Sequence, residues 1–191
     1  MICSSSAAPD GSAWQRMTRL IVALSLACLP TSGWSQSASQ REDRIKAALV
    51  FKLVKFVDWP AAAMAGRDPV QICSLGESHV AEALAAIDGK PIRDRLAQFR
   101  KITTLTVNEV RGCHVLYIPA SAREASGSVS AVLRGKNVLT IGDAPDFARR
   151  GGMIGLIQSE NKLSFEINLR VARESSLEPG APLLELATVI E

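Results

Sequence analysis

The sequence predicts an α/β fold: a single domain in which a mixed, mainly parallel sheet is flanked by helices on both faces and closed by an antiparallel hairpin. Short apolar runs typical of strands alternate with amphipathic stretches through residues 36–191, and such alternation is typical of parallel sheets with helical crossovers. The segment 151–168 has two apolar arms around a polar turn, which predicts the hairpin. No stretch rich in Pro, Gly or Ser divides residues 36–191, so we expect one domain.

Residues 1–35 have the composition of a secretory signal peptide. Arg16 and Arg19 precede an apolar run at 20–29, and small residues surround the expected cleavage site before Gln36. The run is too short to span a bilayer, which takes about 20 apolar residues. We therefore expect export to the periplasm and a mature domain of residues 36–191. Met17 is an alternative start, which would leave residues 1–16 outside the protein, and an N-terminal core helix is the competing interpretation.

Removal of this leader changes the cysteine count and the charge. Cys73 and Cys113 remain, and an even pair in an exported protein predicts a disulfide, with two free buried thiols as the alternative. Loss of two arginines and one aspartate with the leader lowers the formal charge from +3 to +2. A chain so close to neutral lacks the strongly basic face that binds nucleic acid, so we expect no nucleic-acid partner.

The first helix of the mature chain is expected to run from a capping box at Ser39 and Glu42 to Asp58, because Trp59-Pro60 stops a helix. Its apolar residues cover more than half of the helical wheel, which predicts a mostly buried helix. The basic side chains on the opposite side are Arg41, Arg44, Lys52 and Lys55. This stripe is either a solvated face or a contact surface for an acidic partner or ligand.

The remaining elements follow from periodicity and from turn residues. Strands are predicted at 70–75, 98–106, 113–118 and 136–141, and helices at about 78–89, 121–134, 143–150, 169–176 and 182–190. The loop after the first strand carries a single glycine and no phosphate-binding motif, so nucleotide binding is not expected.

The hairpin at 151–168 has two interpretations. In its second arm Phe165 and Ile167 share one face, and Glu166 and Asn168 share the other, because strand side chains alternate. The hairpin is therefore either a plain sheet edge or a polar surface on which Glu166 and Asn168 contact a partner.

Catalytic and metal-binding groups are not indicated. His79 and His114 stand apart from any set of ligands at metal-site spacing, and His114 fits a core or edge histidine with satisfied hydrogen bonds. The serines lack a nucleophile motif, and Asp143 and Asp146 fit turn and cap positions around Pro145. We expect no catalytic residue, metal or cofactor.

A series of short blocks, in this order, resembles the YfiR family of bacterial periplasmic proteins. The blocks are Phe56-Val57-Asp58-Trp59-Pro60, Ile72-Cys73 with Gly76, Cys113-His114-Val115-Leu116-Tyr117-Ile118, Val138-Leu139-Thr140-Ile141 with Asp143, Phe147-Ala148 with Gly151-Gly152-Met153-Ile154, Phe165-Glu166-Ile167-Asn168, and Leu183-Leu184 with Leu186-Ala187. The resemblance covers nearly all of residues 42–190.

The resemblance implies a non-enzymatic, exported repressor. Such proteins bind the periplasmic portion of an inner-membrane diguanylate cyclase and lower cyclic di-GMP synthesis. Through this they take part in biofilm regulation. An outer-membrane, peptidoglycan-associated lipoprotein can sequester them, and a homodimer is expected. Cys73 and Cys113 match one of two cysteine pairs of the best-known member, and the second pair is missing here. The expected contact residues are Lys52, Lys55, Trp59, Glu166 and Asn168.

Two other hypotheses remain open from the sequence. One is a periplasmic small-ligand sensor or solute-binding domain that feeds a sensor kinase, with a pocket near the carboxyl ends of the strands. The other is a periplasmic enzyme that would depend on Glu166, His114 or Asp143.

Overall fold

A computed structural model describes residues 38–65, 69–160 and 162–191. The expected signal peptide, residues 1–35, lies outside the described residues. The described chain forms an eight-stranded mixed sheet with helices on both faces, and a separate two-stranded sheet. The α/β fold class predicted from the sequence is confirmed.

The elements follow one another along the chain as alternating helices and strands. The helices are α1 (Ala38–Val54), α2 (His79–Ala85), α3 (Arg123–Ser126), α4 (Val129–Leu133), α5 (Leu169–Glu174) and α6 (Ala181–Leu184), with a 3-10 turn at Ala120–Ala122. The strands are β1 (Val57–Asp58), β2 (Val70–Leu75), β3 (Pro91–Ile92), β4 (Arg95–Ile102), β5 (Val115–Ile118), β6 (Leu139–Gly142), β7 (Ile154–Ser159), β8 (Lys162–Asn168), β9 (Glu178–Pro179) and β10 (Thr188–Ile190).

The large sheet has the strand order β10-β8-β7-β6-β5-β2-β4-β3. Strands β4, β2, β5, β6 and β7 are parallel to one another, β10 is parallel to β8, and the pairs β3–β4 and β7–β8 are antiparallel. We call the side of the sheet where β2, β5 and β6 end the carboxyl edge, and the side where they begin the amino edge.

The central strands are buried on both faces. Val115 and Tyr117 of β5 face the cluster that includes α1 and α2, whereas Leu116 and Ile118 face the cluster that includes α4. This explains why the strand sequences are continuous apolar runs rather than alternating ones.

Helix α1 ends earlier, and is more exposed, than the sequence predicted. It stops at Val54 instead of Asp58, because Val57 and Asp58 pair as β1 with β9. Val57 is β-branched, which favours this extended conformation. Trp59, two residues later, precedes Pro60 and is therefore disfavoured in the helical region. The buried residues of α1 are Ala47, Val50, Leu53 and Val54. Ile45 is 51% exposed, so the prediction of a mostly buried helix was wrong.

The helix predicted at 143–150 is absent, and turns take its place. Ala144 precedes Pro145, which disfavours the helical region, and Asp146 has a left-handed φ of 57°. These turns place Phe147 between Gly142 and Gly152, where a Cβ on either glycine would overlap the phenyl ring. The two glycines are therefore needed for close packing of Phe147 in the core.

The helix predicted at 182–190 was wrong in its second half. Helix α6 ends at Leu184, and Thr188–Ile190 form β10, as three β-branched residues favour. Strand β10 pairs with β8. The β7–β8 hairpin is confirmed, but it is not the edge of the sheet.

Two further boundaries differ from prediction. The strand predicted at 98–106 lies earlier, at Arg95–Ile102, after a tight turn from β3. The helix predicted at 121–134 is interrupted at Gly127 and Ser128, where glycine has low helix propensity.

The Cys73–Cys113 disulfide predicted from the sequence is present, with the Cα atoms 5.9 Å apart. It joins β2 to the loop before β5, its neighbour in the sheet. The Arg100 guanidinium lies 3.3 Å from the Cys113 sulfur, and it donates hydrogen bonds to the carbonyls of Glu109 and Arg111. The bond and Arg100 together fix the 103–114 connection on the sheet.

Replacing both cysteines by alanine should lower the free energy of unfolding by about 2 to 4 kcal/mol, because the bond spans 40 residues of sequence. Urea unfolding followed by circular dichroism checks this. Reduced wild-type protein is the matched control and should lose the same amount. Labelling of both thiols in denatured, unreduced protein would contradict the disulfide.

Candidate partner-binding surface around the first helix

A groove with a volume of about 600 Å³ lies between α1 and α2. Its floor is apolar and built largely from small side chains, which let another chain approach closely. The floor residues are Ala47, Ala48, Phe51, Ala83, Ala86 and Ile87. We call this feature the helix groove.

The two helices that form the helix groove run in the same direction. Helix α2 begins directly after the carboxyl end of β2, with Ser78 as its N-cap. Lys46 in the first half of α1 donates a hydrogen bond to Asp143, which follows the carboxyl end of β6. Trp59, which lies beyond the last residue of α1, donates a hydrogen bond to the Asn137 carbonyl at the amino edge. Both helices therefore start at the carboxyl edge.

This shared direction gives the helix groove two ends of opposite charge. Asp43, Glu82 and Arg44 lie toward the carboxyl edge, where the acidic groups outnumber the arginine by one, and Lys52 and Lys90 lie toward the amino edge. A ligand that fills the groove is therefore expected to be elongated, with its acidic end near the two lysines.

Lys52 and Lys55, two of the residues predicted to contact a partner, take different positions. Lys52 is exposed and lines the helix groove. Lys55 is partly buried, and its ammonium lies 4.4 Å from the centroid of the Phe51 ring. Lys55 thus lies against the Phe51 ring, which belongs to the apolar floor of the groove.

Trp59, a third predicted contact residue, is only partly exposed. Its indole nitrogen donates a hydrogen bond to the Asn137 carbonyl, at 3.1 Å. The ring lines a separate cavity of about 210 Å³ that also includes Arg93 and Arg95. The structure therefore gives Trp59 a role in holding the chain after α1 against the sheet, and its contact with a partner stays a prediction.

Glu166 and Asn168 lie inside the protein rather than on a polar surface. Glu166 is 9% exposed and accepts a hydrogen bond from Arg149 at 2.9 Å. Asn168 is 4% exposed, donates to the Ala148 carbonyl and accepts from the Val171 amide as the N-cap of α5. The turns at 144–151, which the sequence did not predict, cover this face. Contact of Glu166 and Asn168 with a partner protein stays a prediction, but the polar atoms of these two side chains already form hydrogen bonds within the chain.

His114 is hydrogen-bonded as the sequence indicated. Its Nδ1 accepts from the Gln71 amide at 2.9 Å, and its own amide donates to the Gln71 carbonyl. No group of three potential metal ligands comes together in the part of the chain that the structure describes. Within that same part, no helix is long and apolar enough to cross a membrane.

A polar cluster under α1 was not identified as a unit from the sequence. The Lys46 ammonium contacts Glu42 at 2.9 Å and Asp143 at 3.2 Å. Asp143 also accepts a hydrogen bond at 2.7 Å from the amide of Ala120, the first residue of the 3-10 turn on the neighbouring connection, and not from the turn around Pro145 where its role was expected. The signal that could have located the cluster is a single lysine on the buried side of α1, combined with an aspartate directly after a parallel strand.

Burial and hydrogen bonding act in opposite directions on Lys46. Burial lowers the pKa of Lys46, but hydrogen bonds with Glu42 and Asp143 outweigh it and leave the pKa above its ordinary value. Burial, and next the neighbouring Asp143, raise the pKa of the Tyr117 hydroxyl far above its ordinary range. Lys46 is therefore charged and Tyr117 neutral at physiological pH.

Replacing Asn168 by alanine should lower the free energy of unfolding by about 2 kcal/mol, because it removes the cap of α5 and the shorter of two hydrogen bonds to the buried Ala148 carbonyl, which keeps only the bond from the Gly151 amide at 3.4 Å. The matched control is Ser164→Ala on the same strand and face, where the side chain is partly exposed. That variant should stay within about 0.5 kcal/mol of wild type. Urea unfolding measures both, and equal effects would contradict a structural role for Asn168.

Comparison with known proteins gives one family assignment. No curated protein matches the chain in sequence. A crystal structure of a conserved domain protein from Vibrio cholerae O1 biovar El Tor strain N16961 aligns with a TM-score of 0.44 and 12% identity, over 78% of this chain and 60% of that one. At this score the likeness supports no argument about fold or function. The family model described as YfiR/HmsC-like matches residues 43–188. The chain therefore belongs to the YfiR/HmsC-like family.

Proposed function

We propose that this protein is a periplasmic regulator that binds and represses the periplasmic portion of an inner-membrane diguanylate cyclase, and so lowers cyclic di-GMP signalling. Membership in the YfiR/HmsC-like family, across nearly all of the described fold, is the observation that carries the proposal. The family is regulatory rather than catalytic, so the protein acts by contact and not by turnover.

The helix groove is the surface we assign to this contact. Its alanine floor accepts an apolar ridge, and its two charged ends orient that ridge. The proposed occupant is an amphipathic helix of the cyclase's periplasmic portion, with an acidic residue near Lys52 and Lys90 and a basic residue near Asp43.

Repression by contact requires a difference in affinity. The regulator must bind the inactive arrangement of the cyclase more tightly than the active one, because equal affinity for both would leave their ratio unchanged. A groove with ends of opposite charge favours one orientation and position of the bound helix. It therefore provides a means of distinguishing two arrangements of the partner.

Deletion of the gene should raise cellular cyclic di-GMP in a cell that contains the cognate cyclase. Mass spectrometry of nucleotide extracts measures this, and restoring the gene should return the level to that of the wild type. An unchanged level, together with no cyclase co-purifying with the tagged protein, would contradict the proposed function.

Reversing two charges of the groove, Lys52→Glu with Lys90→Glu, should weaken binding to the cyclase's periplasmic portion by about tenfold or more. The matched control is Arg134→Glu, an exposed position directly after α4 on the opposite face of the sheet. Titration by surface plasmon resonance measures both, with circular dichroism to verify folding. Equal affinity of the groove variant and the control would exclude the groove as the contact surface.

A further inference from the structure

A pocket of about 320 Å³ lies at the amino edge of the sheet. Its two walls are the last part of the 103–114 connection, which leads into β5, and residues 136–138, which lead into β6. We call it the amino-edge pocket. It shares no lining residue with the helix groove, and its volume is at the lower end of the range of small-molecule sites.

The charged side chains that line the amino-edge pocket are cationic. Arg111 and Lys136 line it, and none of the described residues around it is an aspartate or a glutamate. Neither cation forms an ion pair or a side-chain hydrogen bond with another residue that the structure describes. Two cations on one concave surface raise the local concentration of anions, so the pocket favours an anionic ligand.

Two backbone amides add hydrogen-bond donors to the same two walls. Gly112 and Asn137 line the pocket, and their amides donate to no acceptor among the described residues. Gly112 has a left-handed φ of 79°, and a Cβ placed on it would meet nothing within 4 Å. The backbone is therefore accessible at this turn, and amides at a left-handed turn are typical donors to bound anions.

The amino-edge pocket also has an aliphatic part. Val107, Val110 and Val138 line it, and Val107 is 49% exposed. No phenylalanine, tyrosine or tryptophan is among the described residues around the pocket, so a ligand ring would find no such side chain for stacking. An exposed valine beside two cations fits a ligand that has both an anionic head and an aliphatic chain.

Contacts outside the pocket hold both of its walls in place. The disulfide joins Cys113 to β2, and Arg100 donates a hydrogen bond to the Arg111 carbonyl at 3.0 Å. On the other wall, the Asn137 carbonyl accepts a hydrogen bond from the Trp59 indole at 3.1 Å. A ligand of a pocket formed in advance does not have to order the chain, and this favours affinity.

We propose that the amino-edge pocket binds a small organic anion with a carboxylate or phosphate head and a short aliphatic chain. Arg111 and Lys136 bind the head, and the amides of Gly112 and Asn137 donate hydrogen bonds to it. The aliphatic chain lies against the valines. The small-ligand hypothesis from the sequence placed a pocket near the carboxyl ends of the strands, whereas this site lies at their amino ends. The site does not depend on the proposed function, because a protein that binds no cyclase can still bind the anion.

Isothermal titration calorimetry of the purified protein tests the ligand class with hexanoate, hexyl phosphate, inorganic phosphate and 1-hexanol. The first two carry both parts of the proposed ligand, inorganic phosphate carries the head alone, and 1-hexanol carries the chain alone. Hexanoate or hexyl phosphate should bind at one site with a Kd of about 1 mM or lower, and about tenfold more tightly than inorganic phosphate and 1-hexanol. Tighter binding of hexanoate assigns a carboxylate head, tighter binding of hexyl phosphate assigns a phosphate head, and equal binding shows that the site accepts both.

Replacing both cations, Arg111→Ala with Lys136→Ala, should weaken binding of the tighter probe by about tenfold or more, because two charge-assisted contacts with the head are lost. The matched control is Arg41→Ala with Arg123→Ala, which removes the same net charge at two exposed positions outside the pocket. The control should bind like wild type, and circular dichroism verifies the folding of both variants.

A charge in the aliphatic part provides a second test that leaves the cations in place. Val107→Glu puts a carboxylate beside the ligand, and Val107→Gln puts a neutral side chain of the same size there. The first variant should bind the probe about fivefold more weakly than the second, because only the first repels an anion.

The site would be overturned if neither hexanoate nor hexyl phosphate bound at a concentration of about 10 mM. Binding of inorganic phosphate or 1-hexanol as tight as that of these two probes would overturn it as well, since head and chain would then not act together. Equal affinity of the cation variant and its control, or of Val107→Glu and Val107→Gln, would exclude this pocket as the place where the probe binds.

Discussion

The constraint on which the structure depends is that β2, β5 and β6 have no polar face. Apart from the partly exposed Gln71, their side chains are buried on both sides, so both sides of the sheet must be covered by the rest of a rather small chain. Helices α1 and α2 cover one side, and α4, the disulfide-bonded connection and the turns around Phe147 cover the other. Because short helices cover little area, irregular segments have to complete the second face. The disulfide holds one of these segments on the sheet, and Gly142 and Gly152 leave the space in which Phe147 of another segment packs.

This constraint also decides which parts of the fold the sequence could predict. The apolar runs at 70–75 and 113–118 identify strands whatever surrounds them, and the hairpin is local, so these were predicted well. The prediction failed where an element depends on distant partners. Thr188–Ile190 has strand propensity, but only the open edge of β8 makes it a strand. The segment 143–150 has helix-compatible residues, but Phe147 has to reach the space between two glycines.

The candidate site shows the same division. Exposure of Lys52 follows from the helical wheel of α1 alone. The helix groove could not be predicted, because it requires that α1 and α2 pack side by side in the same direction, which depends on the sheet between their ends. Glu166 and Asn168 were assigned to an outer face by strand alternation, and that alternation is correct. What alternation cannot show is that Ala148 and Arg149 come back to cover that face.

The position of α1 connects the sheet interior to the proposed contact surface through one helix. Lys46 contacts Asp143 at the carboxyl edge of the sheet, while Asp43 and Ala47, three residues before it and one after, line the groove. Coupling between two sites on one helix is reciprocal. A change at the Lys46–Asp143 ion pair that shifts α1 should therefore alter binding in the helix groove, and a partner bound in the groove should alter the ion pair to the same extent in free energy.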